Sequence, residues 1–432
     1  MATGASSLND DEIRTLVESM EEEVGNVDSL QSDYDIFRVP SRFHKLNPEA
    51  YRPLSVSIGP LHHNEEHLRT METHKLCYLN RFLNRSNGKT LDVYVKAVSN
   101  LEEKARKCYS ESIGLGKEEF VKMMVIDGCF ILEFLKTILS VENDHFVSNL
   151  PWRFEIIADL IKLENQLPLF VLELLHGLIE PLPMFTLSND IYLGLFVNFG
   201  QGLHGPCSYE EVRSLRLPEG KHFLDLLRHV LVPSSRRRYT ANFLPLTCCA
   251  SELKKAGVKF QKKERSDSPK TYLFDITFDM NKGVLTIPTI MIDNETELIL
   301  RNLIAFEKAQ DYTYYFTAYF TAYACFMEFL IHTPKDAELL MRKGIITNYF
   351  GNSKDVVTLF NNLGKYTRLQ SSYLSDVTKD LEDYHRKAWN KSKASLLQNY
   401  FNTPWASISV GAAALLFILM IVQTICSILQ VK

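Results

Sequence analysis

A short histidine-rich stretch contains the residue types that could most directly hold a metal ion. His63, Glu66 and His67 are spaced as H-x-x-E-H, and on one helix the two histidines would share a face, as zinc ligands do. The stretch follows Gly59-Pro60, which predicts a loop, and no third ligand stands out downstream. The three residues are weak candidates for a metal site. Histidines that cap backbone groups or face solvent are the favoured interpretation.

Polar residues inside apolar runs form a second set of candidates. Glu164-Asn165-Gln166 stand just before Pro168, where their side chains could cap backbone groups at a helix break. Asp127-Gly128 lies in an apolar helix, where the carboxylate needs a hydrogen bond or ion pair and the glycine allows close packing. Arg301-Asn302 with Glu307 could form another internal network. A structural role is favoured over ligand binding for these groups.

Composition places the chain among ordinary globular proteins. It has 432 residues, 46% hydrophobic and 23% charged, which excludes a disordered or collagenous chain. The net charge of −4 gives no basic field for nucleic acid, so no nucleic-acid partner is expected. No glycine-rich phosphate loop, G-x-S-x-G elbow or kinase motif set is present. The prediction is a protein without catalytic activity and without a cofactor.

The N-terminal segment is strongly acidic. Residues 1–35 contain ten acidic residues against Arg14 alone. We predict that residues 1–34 form an acidic, largely disordered arm. The arm has one possible short helix, with Ile13, Leu16, Val17 and Met20 on one face. A frayed tail is favoured over a partner-binding helix.

A basic stretch lies near the middle of the chain. A solvated loop face is its favoured interpretation, and contact with anionic lipid head groups or with the acidic arm is the alternative. Its cations are Arg236, Arg237, Arg238, Lys254, Lys255, Lys259, Lys262, Lys263 and Arg265.

The cysteines and the N-terminus indicate a reducing compartment. None of the eight cysteines forms a C-x-x-C pair, and most lie in apolar surroundings, which favours buried thiols over a disulfide scaffold. The first residues contain no apolar signal-peptide core. These features predict that the large domain is cytosolic, and the sequons at Asn84, Asn294 and Asn390 are discounted as chance matches.

The strongest local signal is an uncharged segment near the C-terminus, Trp405–Leu429. As a helix it would span about 37 Å, enough for a hydrocarbon core of about 30 Å. We predict a transmembrane helix over 405–429 that anchors the protein in a membrane, expected to be the plasma membrane. A buried C-terminal helix is the alternative. Basic residues before the segment, including Arg386 and Lys387, predict that the preceding domain lies on the cytosolic side.

Residues 35–400 read as one mainly α-helical domain. The predicted helices are Glu119–Ser140, Arg153–Gln166, 168–175, His222–Val232, Cys248–Ala256, Glu295–Gln310, one opened by Thr333-Pro334 and ending at Gly344, one from Ser353 to about Gly364, and Leu374–Gln398.

Two segments depart from this pattern. Residues 271–292 predict a β-hairpin around Met280-Asn281-Lys282-Gly283, in which Pro288 restricts the second arm to an edge position. Tyr312–Ile331 is apolar but rich in tyrosine and threonine, so an aromatic core is favoured over a second membrane span.

Several phrases, in order and spacing, together resemble one plant family. They are Ile36-Phe37-Arg38-Val39-Pro40, Tyr51-Arg52-Pro53, Val56-Ser57-Ile58-Gly59-Pro60-Leu61-His62-His63, Met71-Glu72, His74-Lys75, Asp127-Gly128-Cys129-Phe130, Leu163-Glu164-Asn165-Gln166-Leu167-Pro168, Arg301-Asn302-Leu303-Ile304-Ala305-Phe306-Glu307 and Pro404-Trp405. The set resembles the family named domain of unknown function 247, from about residue 35 onward. Leu61 replaces a tyrosine usual in the family, and His67 is outside its pattern.

The resemblance implies a protein with one membrane span and no established enzymatic activity, and some grass members act as pollen-side determinants of self-incompatibility. A non-catalytic recognition or signalling protein with an unknown protein partner is therefore expected; a metal-dependent hydrolase using residues 62–74 and a structural membrane adaptor are the alternatives. The resemblance also implies structural roles for Pro40, Gly59, Pro60, His62, Asp127, Gly128, Glu164, Asn165, Gln166, Pro168, Arg301, Asn302, Glu307, Pro404 and Trp405.

Overall fold

A computed structural model describes most of the chain. The described residues are 8–26, 34–86, 88–139, 153–179, 220–233, 245–263, 273–310, 318–367, 369, 371–400, 412 and 415–424.

The described part is mainly helical. Its α-helices, in chain order, are α1 (Asp10–Asn26), α2 (Ser41–His44), α3 (Arg69–Asn84), α4 (Leu91–Ser99), α5 (Glu102–Arg106), α6 (Lys117–Leu139), α7 (Arg153–Leu160), α8 (Leu169–Ile179), α9 (Phe223–Leu231), α10 (Ala250–Lys255), α11 (Asn294–Ala309), α12 (Tyr319–Leu330), α13 (Pro334–Arg342), α14 (Ser353–Gly364) and α15 (Ser375–Tyr400). Two 3₁₀ turns, Pro48–Ala50 and Glu66–Leu68, lie in the N-terminal part.

The strands form two small sheets. They are β1 (Lys259–Lys263), β2 (Thr277–Asp279), β3 (Val284–Pro288), β4 (Ile290–Ile292) and β5 (Ile346–Asn348). The first sheet has the order β1-β3-β2, with β3 parallel to β1 and antiparallel to β2. In the second, β4 pairs in parallel with β5.

One continuous hydrophobic core joins two helical groups. In the first, α3, α4 and α8 pack around α6, which is buried along most of its length because apolar residues surround it on all sides. In the second, α14 packs on α12 and α13, and α11 packs on α12 and α14. Here the ring of Phe274 contacts Tyr319, Phe320 and Tyr323. The apolar segment that ends at Ile331 is therefore a buried aromatic core helix, as predicted; residues 311–317 lie outside the described part.

Most predicted helices are present, but one ends early. α7 ends at Leu160 instead of continuing to Gln166, and residues 161–168 are buried without helical structure. At α11 the N-cap is Asp293, whose carboxylate accepts the N–H of Thr296, so the helix begins at Asn294, one residue before its predicted start.

The β-hairpin is confirmed over a shorter range, with Thr277 opposite Thr286. The edge position expected for its second arm is wrong. β3 is the central strand of its sheet, and Pro288 is tolerated because it is the last residue of the strand.

The predicted transmembrane helix is the part of the expected fold that is wrong. Among the helices of the described residues, none is both long enough and apolar enough to cross a bilayer. α6 and α15 have sufficient length but carry many charged side chains. Residues 415–424 are helical and exposed. Pro404, Trp405 and most of the segment 405–429 lie outside the described residues.

A buried carboxylate joins α13 to α10. Asp336 accepts hydrogen bonds from the N–H and hydroxyl of Thr333, at 2.8 and 2.7 Å, and from the N–H of Ser251 at 2.8 Å. The first bond belongs to a capping box at the start of α13, where Thr333-Pro334 predicts that the helix begins, and the third is a contact between helices that are distant in sequence.

Replacing Asp336 by alanine should destabilise the fold by about 2 kcal/mol, because three donors lose their acceptor at a buried site. The control is Asp355→Ala, which removes an exposed carboxylate from the first turn of α14. It should change the free energy of unfolding by less than about 0.5 kcal/mol. Chemical denaturation measures both, and equal losses would show that the Asp336 contacts do not stabilise the fold.

Candidate functional site

The most distinctive feature of the molecule is a buried segment without regular secondary structure. Residues 161–168 are all buried, and they lie against a second irregular segment, residues 54–59. Neither segment can satisfy its backbone N–H and C=O groups within a helix or sheet, and residues 56–59 and 161–168 are buried away from water. Side chains must therefore supply the hydrogen-bond partners.

Asp159 and Asn165 satisfy the backbone of residues 54–58. The Asp159 carboxylate accepts the N–H groups of residues 54–56 at 2.7 to 3.1 Å. The Asn165 amide accepts the N–H of Ile58 at 2.7 Å and donates to the carbonyl of Val56 at 3.0 Å. Asn165 also donates to the carbonyl of Asp159 at 3.0 Å. These bonds replace those that a longer α7 would have made, which explains why α7 ends at Leu160.

Asp127 and Lys75 form a buried ion pair at the end of the same segment. The Lys75 ammonium donates to Asp127 and to Glu72, each at 2.7 Å, and also to the carbonyl of Ser57. The second oxygen of Asp127 accepts the N–H of Gly59 at 2.9 Å. Burial alone would lower the pKa of Lys75, but the carboxylates of Asp127 and Glu72 outweigh it and raise the pKa. The ammonium therefore stays charged inside the core.

Glu164 is a buried carboxylate surrounded by donors. It accepts the N–H of Val39 at 2.7 Å, His44 Nε2 at 2.7 Å and His62 Nε2 at 2.9 Å. Burial would raise the pKa of Glu164, but these three hydrogen bonds together hold it below its ordinary value. The other ring nitrogen of His62 lies 2.6 Å from Glu65, so the ring donates to both carboxylates when both nitrogens carry hydrogen.

Gln166 connects the segment to the rest of the core. Its amide donates to the carbonyls of Leu160 and Lys162, each at 2.7 Å, and accepts the N–H of Leu224 at 3.3 Å. The Tyr109 hydroxyl donates to the backbone carbonyl of Gln166 at 3.0 Å. Gln166 therefore ties the irregular segment to α9.

Asn302 provides the equivalent connection to α11. Its amide accepts the N–H of Leu163 at 2.9 Å and donates to the carbonyl of Ala50 at 2.7 Å. Its neighbours take other partners. Arg301 pairs with Glu297 at 2.7 Å, whereas Glu307 accepts the N–H groups of residues 320–321. Arg301, Asn302 and Glu307 thus bond to three separate partners rather than to one another in one network.

The remaining motif residues shape the backbone. Pro40 precedes α2, Pro60 lies in the turn before His62, and Pro168 is buried just before α8. Gly128 packs so closely that a Cβ there would lie 2.4 Å from a methyl group of Leu175.

The weak metal candidates are not brought together. His63 Nε2 lies 4.0 Å from a Glu119 oxygen, whereas His67 Nε2 donates to the carbonyl of Pro53 at 3.1 Å. Glu66 is exposed in a 3₁₀ turn. Across the described ranges, no group of three or more histidine, cysteine, aspartate or glutamate side chains could hold a metal ion.

Sequence reasoning assigned no role to three members of the network: Lys75, Asp159 and Lys162. All three are fully buried. Lys162 pairs with Asp159 at 2.9 Å and donates to the carbonyl of Arg52 at 2.7 Å. The signal was present, since Asp159 and Lys162 stand three residues apart inside the apolar run of residues 156–163.

A cysteine–histidine pair was also missed. Cys248 Sγ and His385 Nδ1 are 3.0 Å apart, an arrangement that can activate a nucleophilic thiol. Burial, with help from the carboxylates of Glu382 and Glu252, raises the pKa of the Cys248 thiol to about 11. The sulfur therefore carries its proton at neutral pH, the opposite of what a cysteine nucleophile needs.

Fold and network together define a mainly helical protein whose buried polar groups serve its own backbone. The chain belongs to the plant family named domain of unknown function 247, described as "Plant protein of unknown function", which it matches over residues 36–419. The resemblance seen in the sequence phrases is thereby confirmed.

Two relatives from Arabidopsis thaliana support this membership. The UPF0481 protein At3g47200 is 33% identical over 426 aligned residues, covering 91% of this chain and 86% of the relative. The putative UPF0481 protein At3g02645 is 24% identical over an alignment of 512 residues, which covers 96% of this chain and 94% of the relative. No solved structure matches the chain.

Glu164→Gln should test the charge at the centre of the network. At neutral pH we expect a loss of about 2 kcal/mol, because a glutamine amide presents one acceptor atom where the carboxylate presents two. The pKa of Glu164 is lower in the folded than in the unfolded chain, so its contribution is complete above the unfolded value and is lost as pH falls through the folded value.

The stability difference between wild type and Glu164→Gln should therefore shrink as pH is lowered to about 3. Denaturant unfolding at a series of pH values measures it. The control, Glu118→Gln, alters an exposed glutamate and should stay near wild type throughout. If the stability difference between wild type and Glu164→Gln stayed constant with pH, the lowered pKa of Glu164 in the folded chain would be contradicted.

Gly59→Ala should test the close approach of the two irregular segments. Gly59 has φ +73°, and a Cβ would lie 2.5 Å from the carbonyl oxygen of Gln166. We expect a loss of about 3 kcal/mol from backbone strain and steric overlap. In the control Gly88→Ala, φ is +80° but no atom lies within 4 Å of the new Cβ, so only strain remains, about 1 kcal/mol. Equal losses in thermal and denaturant unfolding would contradict the packing described.

Proposed function

We propose that this protein is a non-catalytic recognition protein that contacts a partner protein through α1. The observation that supports the proposal is the apolar face of this helix. Ile13, Leu16, Val17 and Met20 share one face and are each 44 to 54% exposed. Such a stripe in an otherwise polar helix is the pattern that enters an apolar groove on a partner.

The charge of α1 narrows the kind of partner. Asp10, Asp11 and Glu12 occupy its first turn, and its last turn contains no basic residue. A matching partner has an apolar groove bordered by lysine or arginine, since complementary charge speeds encounter and suppresses wrong partners.

The absence of catalysis is part of the proposal, and the buried network supports it. Catalytic acids and bases need a free atom directed toward a substrate. Asp127, Asp159 and Glu164 instead bond to backbone N–H groups and buried side chains. The raised pKa of the Cys248 thiol, which keeps the sulfur protonated at neutral pH, also supports the absence of catalysis.

The family resemblance suggests a more specific form of the proposal. Some grass members act as pollen-side determinants of self-incompatibility, and a surface helix that selects a partner suits such a role. In this form, the identity of the partner depends on the exposed residues of α1 rather than on a substrate pocket.

The test is proximity labelling in the native tissue with wild type and with Leu16→Ser/Val17→Ser. We expect the variant to lose a defined set of labelled proteins, because two exposed apolar contacts are removed. The matched control is Leu76→Ser/Val95→Ser, which changes an exposed leucine and an exposed valine elsewhere. It should keep the wild-type set.

Two results would contradict the proposal. One is an identical set of labelled proteins for wild type and the α1 variant. The other is stoichiometric zinc in the purified protein that disappears in His63→Ala/His67→Ala, which would indicate metal-dependent chemistry instead.

A further inference from the structure

A groove of about 570 Å³ lies between α10 and α13, far in sequence from α1 and from the buried network. Its lining residues are Ser251, Lys254, Lys255, Lys335, Glu338, Leu339 and Arg342. One wall of the groove is formed by α10, and its Lys254 and Lys255 belong to the basic stretch recognised in the sequence. The second wall is formed by α13, which adds two further cations, Lys335 and Arg342.

The fold holds the two walls in place. The Ser251 N–H bonds to the buried Asp336 carboxylate, and Leu253 and Leu339 anchor α10 and α13 in the core. Lys335 and Arg342 are seven residues apart, so they lie on one face of α13 at a separation of about 10 Å along its axis. The cations therefore project from fixed helices rather than from a loop.

The groove has an uncompensated positive charge. It is lined by four cations and a single carboxylate, Glu338, which lies 3.8 Å from Arg342. In the described structure, no carboxylate oxygen lies within 4.0 Å of the ammonium groups of Lys254, Lys255 or Lys335. Lys335 also occupies the first turn of α13, where the helix macrodipole disfavours a cation. Mutual repulsion among these groups is relieved by a bound anion.

We infer that this groove binds a ligand that carries two or more phosphate groups. One phosphate is too small to contact cations about 10 Å apart, whereas two phosphates on one scaffold contact both ends of α13 and the lysines of α10. Arg342 offers a planar, bidentate donor set, and each lysine offers a point charge. A soluble polyphosphate and the head group of a phosphoinositide share this chemistry.

The experiment measures binding of two probes to the full chain. Calorimetry uses inositol hexakisphosphate, and vesicle flotation uses phosphatidylcholine with and without phosphatidylinositol bisphosphate. The groove variant is Lys254→Gln/Lys335→Gln, with one change in each wall. The matched control, Lys96→Gln/Lys122→Gln, removes two exposed lysines elsewhere and gives the same net charge.

We expect the groove variant to weaken binding by at least about tenfold, since two charge-assisted contacts are lost, whereas the control stays within about twofold of wild type. Lys254→Arg/Lys335→Arg should retain binding. Binding of the soluble probe supports a free polyphosphate as the ligand, and binding to phosphoinositide vesicles alone supports a lipid source. Failure of both probes to bind the wild type, or equal weakening in groove and control variants, would overturn the inference without bearing on α1.

Discussion

The structure depends on one constraint: two buried stretches of irregular backbone must have every N–H and C=O group satisfied. An unpaired backbone group in a core costs about 1–3 kcal/mol, comparable to a large part of the stability of a domain. Residues 56–59 and 161–168 place many such groups side by side. Asp159, Asn165 and Asp127 meet this demand, and their carboxylates and amide accept what a helix or sheet would have accepted.

The same side chains connect parts of the chain that are far apart in sequence. Asn165 and Asp159 join the irregular segments to each other, Asn302 joins them to α11, and Gln166 joins them to α9. Each of these bonds is buried, so the loss of one member leaves its partners unpaired inside the core instead of exposing them to water. The centre of the protein should therefore respond to substitution as a unit.

This arrangement divides the ionisable groups by role. Those inside are paired, as Lys75 is with Asp127 and Lys162 with Asp159, and they hold the backbone. Those available to other molecules lie outside. α1 presents an acidic, apolar helix, and the groove between α10 and α13 presents cations from two fixed walls. Such a division is consistent with the proposed recognition of other molecules at the protein surface.

The sequence by itself determined the features that arise from local physics. The helical class follows from apolar periodicity. Thr333-Pro334 marks the start of α13 because a capping box is formed by residues three apart. Asn281 to Gly283 marks the hairpin turn because Gly283 has φ +62°, a backbone angle that few other residues adopt. The sequence also indicated that Glu164 to Gln166 form hydrogen bonds inside the protein, since buried polar side chains between apolar runs need partners.

Only the tertiary structure decided which groups the side chains of Glu164 to Gln166 bond to. Local propensity favours a helix through Gln166, but the N–H groups of residues 54–58 compete for Asp159 and Asn165, and these lie about a hundred residues away in the chain. β3 became a central strand because β1 pairs with it from outside the hairpin. The apolar composition of residues 405–429 predicted a membrane span, yet no described helix has both the length and the apolar surface for one. Lys335 and Arg342 line the same groove as Lys254 because α10 and α13 pack together. Like the partners in the buried network, these residues are far apart in sequence, so their proximity appears only in the tertiary structure.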